Sequence, residues 1–80
     1  MDEKQTLRIR DLGLAAALIS LGHNMCNTDR DTNGRSYFIF TQTKTLERDV
    51  NNFWADSLEV KARKYFDDIK MLKSRIYGER

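Results

Sequence analysis

The chain has no proline, one cysteine and one histidine among its 80 residues, and each scarcity removes a class of architecture or chemistry. With no proline and only four glycines, long irregular loops have little support, because those residues supply most of the special backbone angles that loops need. Cys26 has no partner for an internal disulfide, and the start Met1-Asp2-Glu3-Lys4-Gln5 lacks the apolar core of a signal peptide. A cytoplasmic, reducing setting is expected. The longest apolar-rich stretch, Leu12 to Leu21, is far shorter than the roughly 20 residues that span a bilayer, so no membrane association is expected.

The chemistry of catalysis is equally thin. Hydrolysis or group transfer near neutral pH usually needs a base of suitable pKa, and the single candidate, His23, directly follows a helical segment, where a surface or strand-edge role is expected. Cys26 stands three residues further on, and side chains at that spacing on a strand point to opposite faces, which argues against a thiolate–imidazole pair. One Cys and one His fall short of the roughly four ligands of a zinc site. In Asp29-Arg30-Asp31-Thr32-Asn33-Gly34 the alternation superficially suggests a calcium loop, yet the position of its closing glutamate holds Phe40. Asp67 and Asp68 each have a basic neighbour four residues earlier, as surface ion pairs do. There is no phosphate-cradling glycine loop. No enzyme activity, cofactor or metal is expected.

What is present is the composition of a folded domain, 40% hydrophobic and 32% charged. A chain of this size buries only about 60–65% of its unfolded surface, so modest stability is expected. Net charge is +2, but residues 61–80 hold seven Lys/Arg against three Asp/Glu, a polarity that could steer an anionic partner and that a solvated helix face also produces.

Leu7-Arg8-Ile9-Arg10 alternates apolar and basic residues, as a short edge strand or a lead-in would. Asp11 is placed to cap a helix over Leu12 to Leu21, with Gly22 as its left-handed stop. Leu12, Leu14, Leu18, Ile19 and Leu21 spread round nearly the whole helix, which must therefore be buried on most sides; the small covering surface suggests a homodimer. His23 to Thr41 reads as a β-hairpin, with Asn33-Gly34 favouring a type I′ turn. Its second strand, Tyr37 to Thr41, is expected to turn Phe38 and Phe40 inward and to leave Tyr37 and Ile39 half covered or in an interface. Thr43 can cap a second helix carrying Leu46, Val50, Phe53 and Trp54 on one face, with Trp54 expected in the core among Phe53, Phe66, Ile69 and Phe40. A third helix, about Ala62 to Tyr77, aligns Ala62, Tyr65, Phe66, Ile69, Leu72 and Ile76. Val60 can staple its start, and Met71 falls opposite the stripe. The expected fold is a single α+β domain over residues 1–80 with an ordered core at about 7–77. Its order is helix, β-hairpin, helix, helix, with the helices on one face of a small antiparallel sheet.

Asp11-Leu12, Leu14-Ala15-Ala16, Gly22, Tyr37-Phe38-Ile39-Phe40, Phe53-Trp54, Val60 and Leu72-Lys73-Ser74-Arg75-Ile76-Tyr77 together resemble a family of short, functionally uncharacterised proteins of bacteria and their phages. The resemblance covers about residues 7–77 and is most specific in its last stretch. Gly13 stands where a larger residue is expected, and Lys61 where a small polar cap is usual. The resemblance implies this fold and a mobile-element origin, and it brings no activity with it.

Binding is the function class that remains. One expectation is a protein-interaction module, expected as a homodimer, whose contact surface includes Leu14, Leu18, Tyr37, Ile39 and Met71. In a phage setting a host defence or replication protein is a natural partner. The alternative is nucleic-acid backbone binding through Arg8, Arg10, Arg30, Arg35, Arg63, Lys70, Lys73 and Arg75, with Tyr37 available for stacking. Twelve acidic residues and the lack of a helix-turn-helix or ribonucleoprotein-type motif weigh against it.

Overall fold

A computed structural model of the chain describes residues 5–77. Six elements follow one another: β1 (Thr6–Ile9), α1 (Leu12–Ser20), β2 (Met25–Arg30), β3 (Ser36–Thr41), α2 (Lys44–Trp54) and α3 (Ala62–Tyr77). The expected α+β order stands, and the Leu7 to Arg10 alternation resolves as a third strand. The antiparallel sheet has the order β1-β3-β2, with Leu7 opposite Phe40 and Ile9 opposite Phe38. The aromatic strand β3 is thus central, and β1 and β2 are both edges.

Phe38 and Phe40 point into the core with Ile9, Leu14, Ala15, Ala16, Leu18, Leu46 and Leu72. The residues from Leu14 to Leu18 are all buried and Leu12 and Ile19 half-buried, so most of the apolar circumference of α1 is covered inside one chain, with Leu21 left exposed. That weakens the argument from this helix for a second copy. Gly13 belongs to the same packing: Tyr65 Oη donates to its carbonyl at 3.2 Å, and a Cβ there would sit 3.2 Å from both Tyr65 Oη and Asp11 Oδ1. The close approach of α3 explains why a larger residue is absent. Ser20 ties the same two helices from the other end of α1, donating to Asp68 Oδ2 at 2.8 Å, and Lys64 pairs with that carboxylate at 3.1 Å.

The helix ends follow their sequence signals. Asp11 Oδ1 accepts from Leu14 N–H, and Thr43 Oγ1 from Leu46 N–H. At the end of α1, His23 N–H donates to Leu18 C=O and Gly22 N–H to Ile19 C=O, with Gly22 at φ +96°, the double bond of a glycine-terminated helix. The end of α2 repeats this pattern through Ser57 N–H to Asn52 C=O and Asp56 N–H to Phe53 C=O, but the left-handed residue is Asp56, at φ +60°. A side chain in that conformation is strained. Asp56→Gly is expected to raise stability by about 0.5–1 kcal/mol, read as a higher urea midpoint with an unchanged slope; an unchanged or lower midpoint would contradict the assignment.

Three expectations need correction. The hairpin does not close with a two-residue type I′ turn. Asp31 N–H donates to Arg35 C=O and Gly34 N–H to Asp31 C=O, so the loop has three residues, a type I turn followed by Gly34 at φ +82°. Asp31 Oδ1 draws the chain into this form by accepting from Asn33 N–H and Arg35 N–H. Trp54 is not core but 63% exposed. Leu46 and Asp49 are the buried residues of α2, flanked by half-buried Val50 and Phe53, and at about 100° per residue Trp54 lies beyond the edge of that arc. Phe66 is 58% exposed for the same reason, since α3 buries Leu72 and half-buries Tyr65, Ile69 and Ile76; its ring instead lies under Lys70 Nζ at 4.8 Å.

The third correction concerns His23. It is not a surface residue: its Nε2 lies 2.7 Å from Asp49 Oδ2, and both side chains are nearly covered. The pair joins the chain after α1 to α2. Removing either partner takes the 2.7 Å contact from a nearly buried polar group, Asp49 keeping, among the described residues, only Arg48 Nε at 3.6 Å, so His23→Ala and Asp49→Ala are each expected to cost about 1–3 kcal/mol. The double variant should cost less than the two single losses together. A denaturation cycle giving simple additivity would show that the two groups are not coupled.

Candidate functional site

The residues expected to form an interaction surface do not form one. Leu14 and Leu18 are core. Tyr37 and Ile39 lie on the outer face of β3, away from the helices, and Met71 is exposed on α3. Tyr37 is only 7% exposed, because the guanidinium groups of Arg8 and Arg10 lie over its ring at 4.8 Å and 5.5 Å. Its ring is therefore covered by cations and not open to a stacking base.

Apart from Arg8, which lies over Tyr37, the basic residues separate into two groups. Arg63 faces Asp67 at 4.0 Å, Lys70 covers Phe66, and Lys73 is exposed on α3. Arg10, Arg30 and Arg35 line a cleft of about 340 Å³ beside Ile76, and Arg30 and Arg75 share an adjoining one of about 300 Å³. Here two guanidinium groups already have partners. Arg10 Nη1 donates to Asp31 Oδ2 at 2.8 Å; that bond, helped by the Arg35 amide, holds the Asp31 carboxyl below the usual carboxylate range. Arg30 donates to Ile76 C=O at 3.0 Å, at the carbonyl end of α3, where the helix dipole is negative. This end of the fold uses its arginines to close the hairpin onto α3 and offers an anion a mixed environment.

A second groove has different chemistry. A space of about 450 Å³ is lined by Leu7, Arg8, Ile9, Arg10, Asp11, Leu14, Val50 and Trp54. Side chains on a strand alternate between faces, so a groove that meets three consecutive strand residues, Leu7 to Ile9, and the two that follow them runs along the edge of β1. Its far wall is Val50 and Trp54 of α2, the tryptophan held edge-on by Phe53 at 5.1 Å between ring centroids.

Hydrogen-bond alternation shows what that edge presents. Gln42 N–H donates to Gln5 C=O at 2.9 Å, which makes Gln5 and Gln42 a hydrogen-bonded pair. Given the register, Leu7 and Ile9 bond to β3, while the N–H and C=O groups of Thr6 and Arg8 face the open side. The same reasoning on β2, starting from the Asp31–Arg35 bond, turns the amides of Thr28 and Arg30 outward. These two are satisfied within the strand: Asn27 Oδ1 accepts from Thr28 N–H and Asp29 Oδ1 from Arg30 N–H, each at 2.8 Å. A sheet edge blunted by its own side chains resists pairing with another chain. Among the described residues, no such cap serves Thr6 or Arg8. One edge of the sheet has two of its outward amides capped, and the other is uncapped beside an apolar wall.

A family model matches residues 4–78, almost the full length of the chain. The chain belongs to the family described as a domain of unknown function, DUF5659. No curated protein and no solved structure matches it. Among the described residues of this DUF5659 domain no three His, Cys, Asp or Glu side chains are grouped to hold a metal ion, and no helix is long and apolar enough to cross a membrane. Sequence reasoning missed Val50 and Trp54 as groove residues because their spacing equally fits a core stripe. The available signal was the offset of Trp54 from the arc centred on Leu46.

Proposed function

We propose that this DUF5659 domain is a non-catalytic protein-interaction module that receives its partner in the groove between β1 and α2. The observation that carries the reading is the asymmetry of the sheet edges: β2 caps the outward amides of Thr28 and Arg30 with its own side chains, whereas β1 leaves those of Thr6 and Arg8 uncapped, with Arg8 in the same groove as an exposed tryptophan. Unpaired strand edges and exposed aromatics are two features through which proteins recognise one another. The mobile-element setting implied by the sequence resemblance supplies partners of this kind, with host defence and replication proteins among them.

A photo-crosslinking side chain at Val50 tests the reading in cells that make the domain's partner. Adducts are expected from Val50 and not from the same group placed at Lys73 on α3. Adducts from Lys73 alone, or equally from both positions, would overturn it.

Nucleic-acid backbone binding is the second reading, favoured by the convergence of Arg10, Arg30, Arg35 and Arg75 on adjoining clefts. It predicts oligonucleotide affinity that falls with salt at a log–log slope of roughly −3 to −4 for four neutralised phosphates. The interaction reading predicts no measurable binding at ~0.15 M salt, the range in which weak nonspecific contacts are screened.

A further inference from the structure

We infer that the partner enters the β1–α2 groove as an extended strand that adds to β1 and alternates acidic with apolar residues; the inference rests on the interaction reading above. The direction of the groove supplies the first step. Because it follows residues 7–11 along the edge of β1, with the Arg8 peptide groups turned toward it, its hydrogen-bonding complement is another extended backbone, as in strand addition. Neither a helix nor a nucleic acid presents that complement.

The two faces of the added strand meet different surroundings. On the outer face stands Arg8, held over Tyr37 at 4.8 Å and, among the described residues, without a carboxylate partner, whereas Arg10 already binds Asp31. A partner residue beside Arg8 on that face is favoured if acidic, since opposite charges directly across a strand pair attract. The residues before and after it turn to the inner face, toward Val50 and Trp54 of α2, and are favoured if apolar. The period of two therefore converts one cation and one apolar wall into an apolar–acidic–apolar pattern.

The same geometry disfavours a second copy as the occupant. Two β1 strands pairing antiparallel about a two-fold axis would place residues of one face opposite one another, so Arg8 would meet Arg8 or Arg10 of the other copy in every register but the one that sets it opposite Thr6. Like charges across a pair repel.

Titration of the full chain with a soluble peptide alternating valine and glutamate, followed by amide and indole NMR shifts, tests the inference. Saturable shifts are expected at Arg8, Val50 and the Trp54 indole, with affinity at least about tenfold above that of a valine–lysine peptide. Arg8→Glu should reverse that preference, while Thr6→Pro, which removes an outward N–H without touching a β1–β3 bond, should weaken both peptides. Equal affinity for the two peptides, shifts confined to other surfaces, or binding of neither overturns the inference. Crosslinking from Val50 then separates the causes: adducts there leave the module reading standing with a differently built partner, and their absence removes both.

Discussion

Replacing Phe40 by alanine is expected to cost about 3–5 kcal/mol, most of the stability of a small domain whose total lies in the range of about 5–15 kcal/mol. Phe40 is completely buried near the end of the middle strand. It stands opposite Leu7 of β1 and Met25 of β2, so its ring supports both edge strands as well as the helices behind them. The loss combines transfer of the ring to water with a cavity that the neighbouring backbone cannot close. Urea denaturation followed by far-UV circular dichroism reads the effect as a large fall in midpoint, and a variant that unfolds with the parent would show that the sheet does not pack on α1 as described.

Trp54→Ala carries the opposite expectation. The indole is mostly exposed, so its truncation should change stability by less than ~1 kcal/mol, as do surface substitutions away from a core or cap. Binding is where the effect belongs: truncation of an interface tryptophan typically costs 2 kcal/mol or more, about thirtyfold in affinity by the usual conversion. Paired measurements on one protein sample, thermal melting and titration with the valine–glutamate peptide, separate the two quantities. A severe loss of stability would return Trp54 to the core, and unchanged affinity would remove it from the groove.

The two residues divide what was legible from what was not. Phe40 was readable because a strand has a period of two and an aromatic strand in so short a chain must turn one face inward. The third helix was readable to its ends, Ala62 and Tyr77, because a long periodic pattern locates itself. Trp54 was not, because amphipathic spacing reports which residues could share a face and not where the neighbouring layer ends. Sequence alone places His23 at the surface, because its partner, Asp49, lies 26 positions away and nothing local marks a buried hydrogen bond. The hairpin turn was misread because Asn33-Gly34 is a strong local signal, yet the carboxylate of Asp31 captures two amides beyond it. The open edge of β1 lay beyond local reasoning altogether. It depends on strand order, and four alternating residues do not reveal which of their neighbours will be beside them.

Site-resolved amide hydrogen exchange of the free domain tests the central claim, that β1 presents an unoccupied edge, most directly. Leu7 and Ile9, bonded to β3, should exchange slowly, while Thr6 and Arg8 should exchange at rates near those of exposed loops. Protection of Arg8 equal to that of its neighbours Leu7 and Ile9 would mean that the edge is already covered, and would contradict the account.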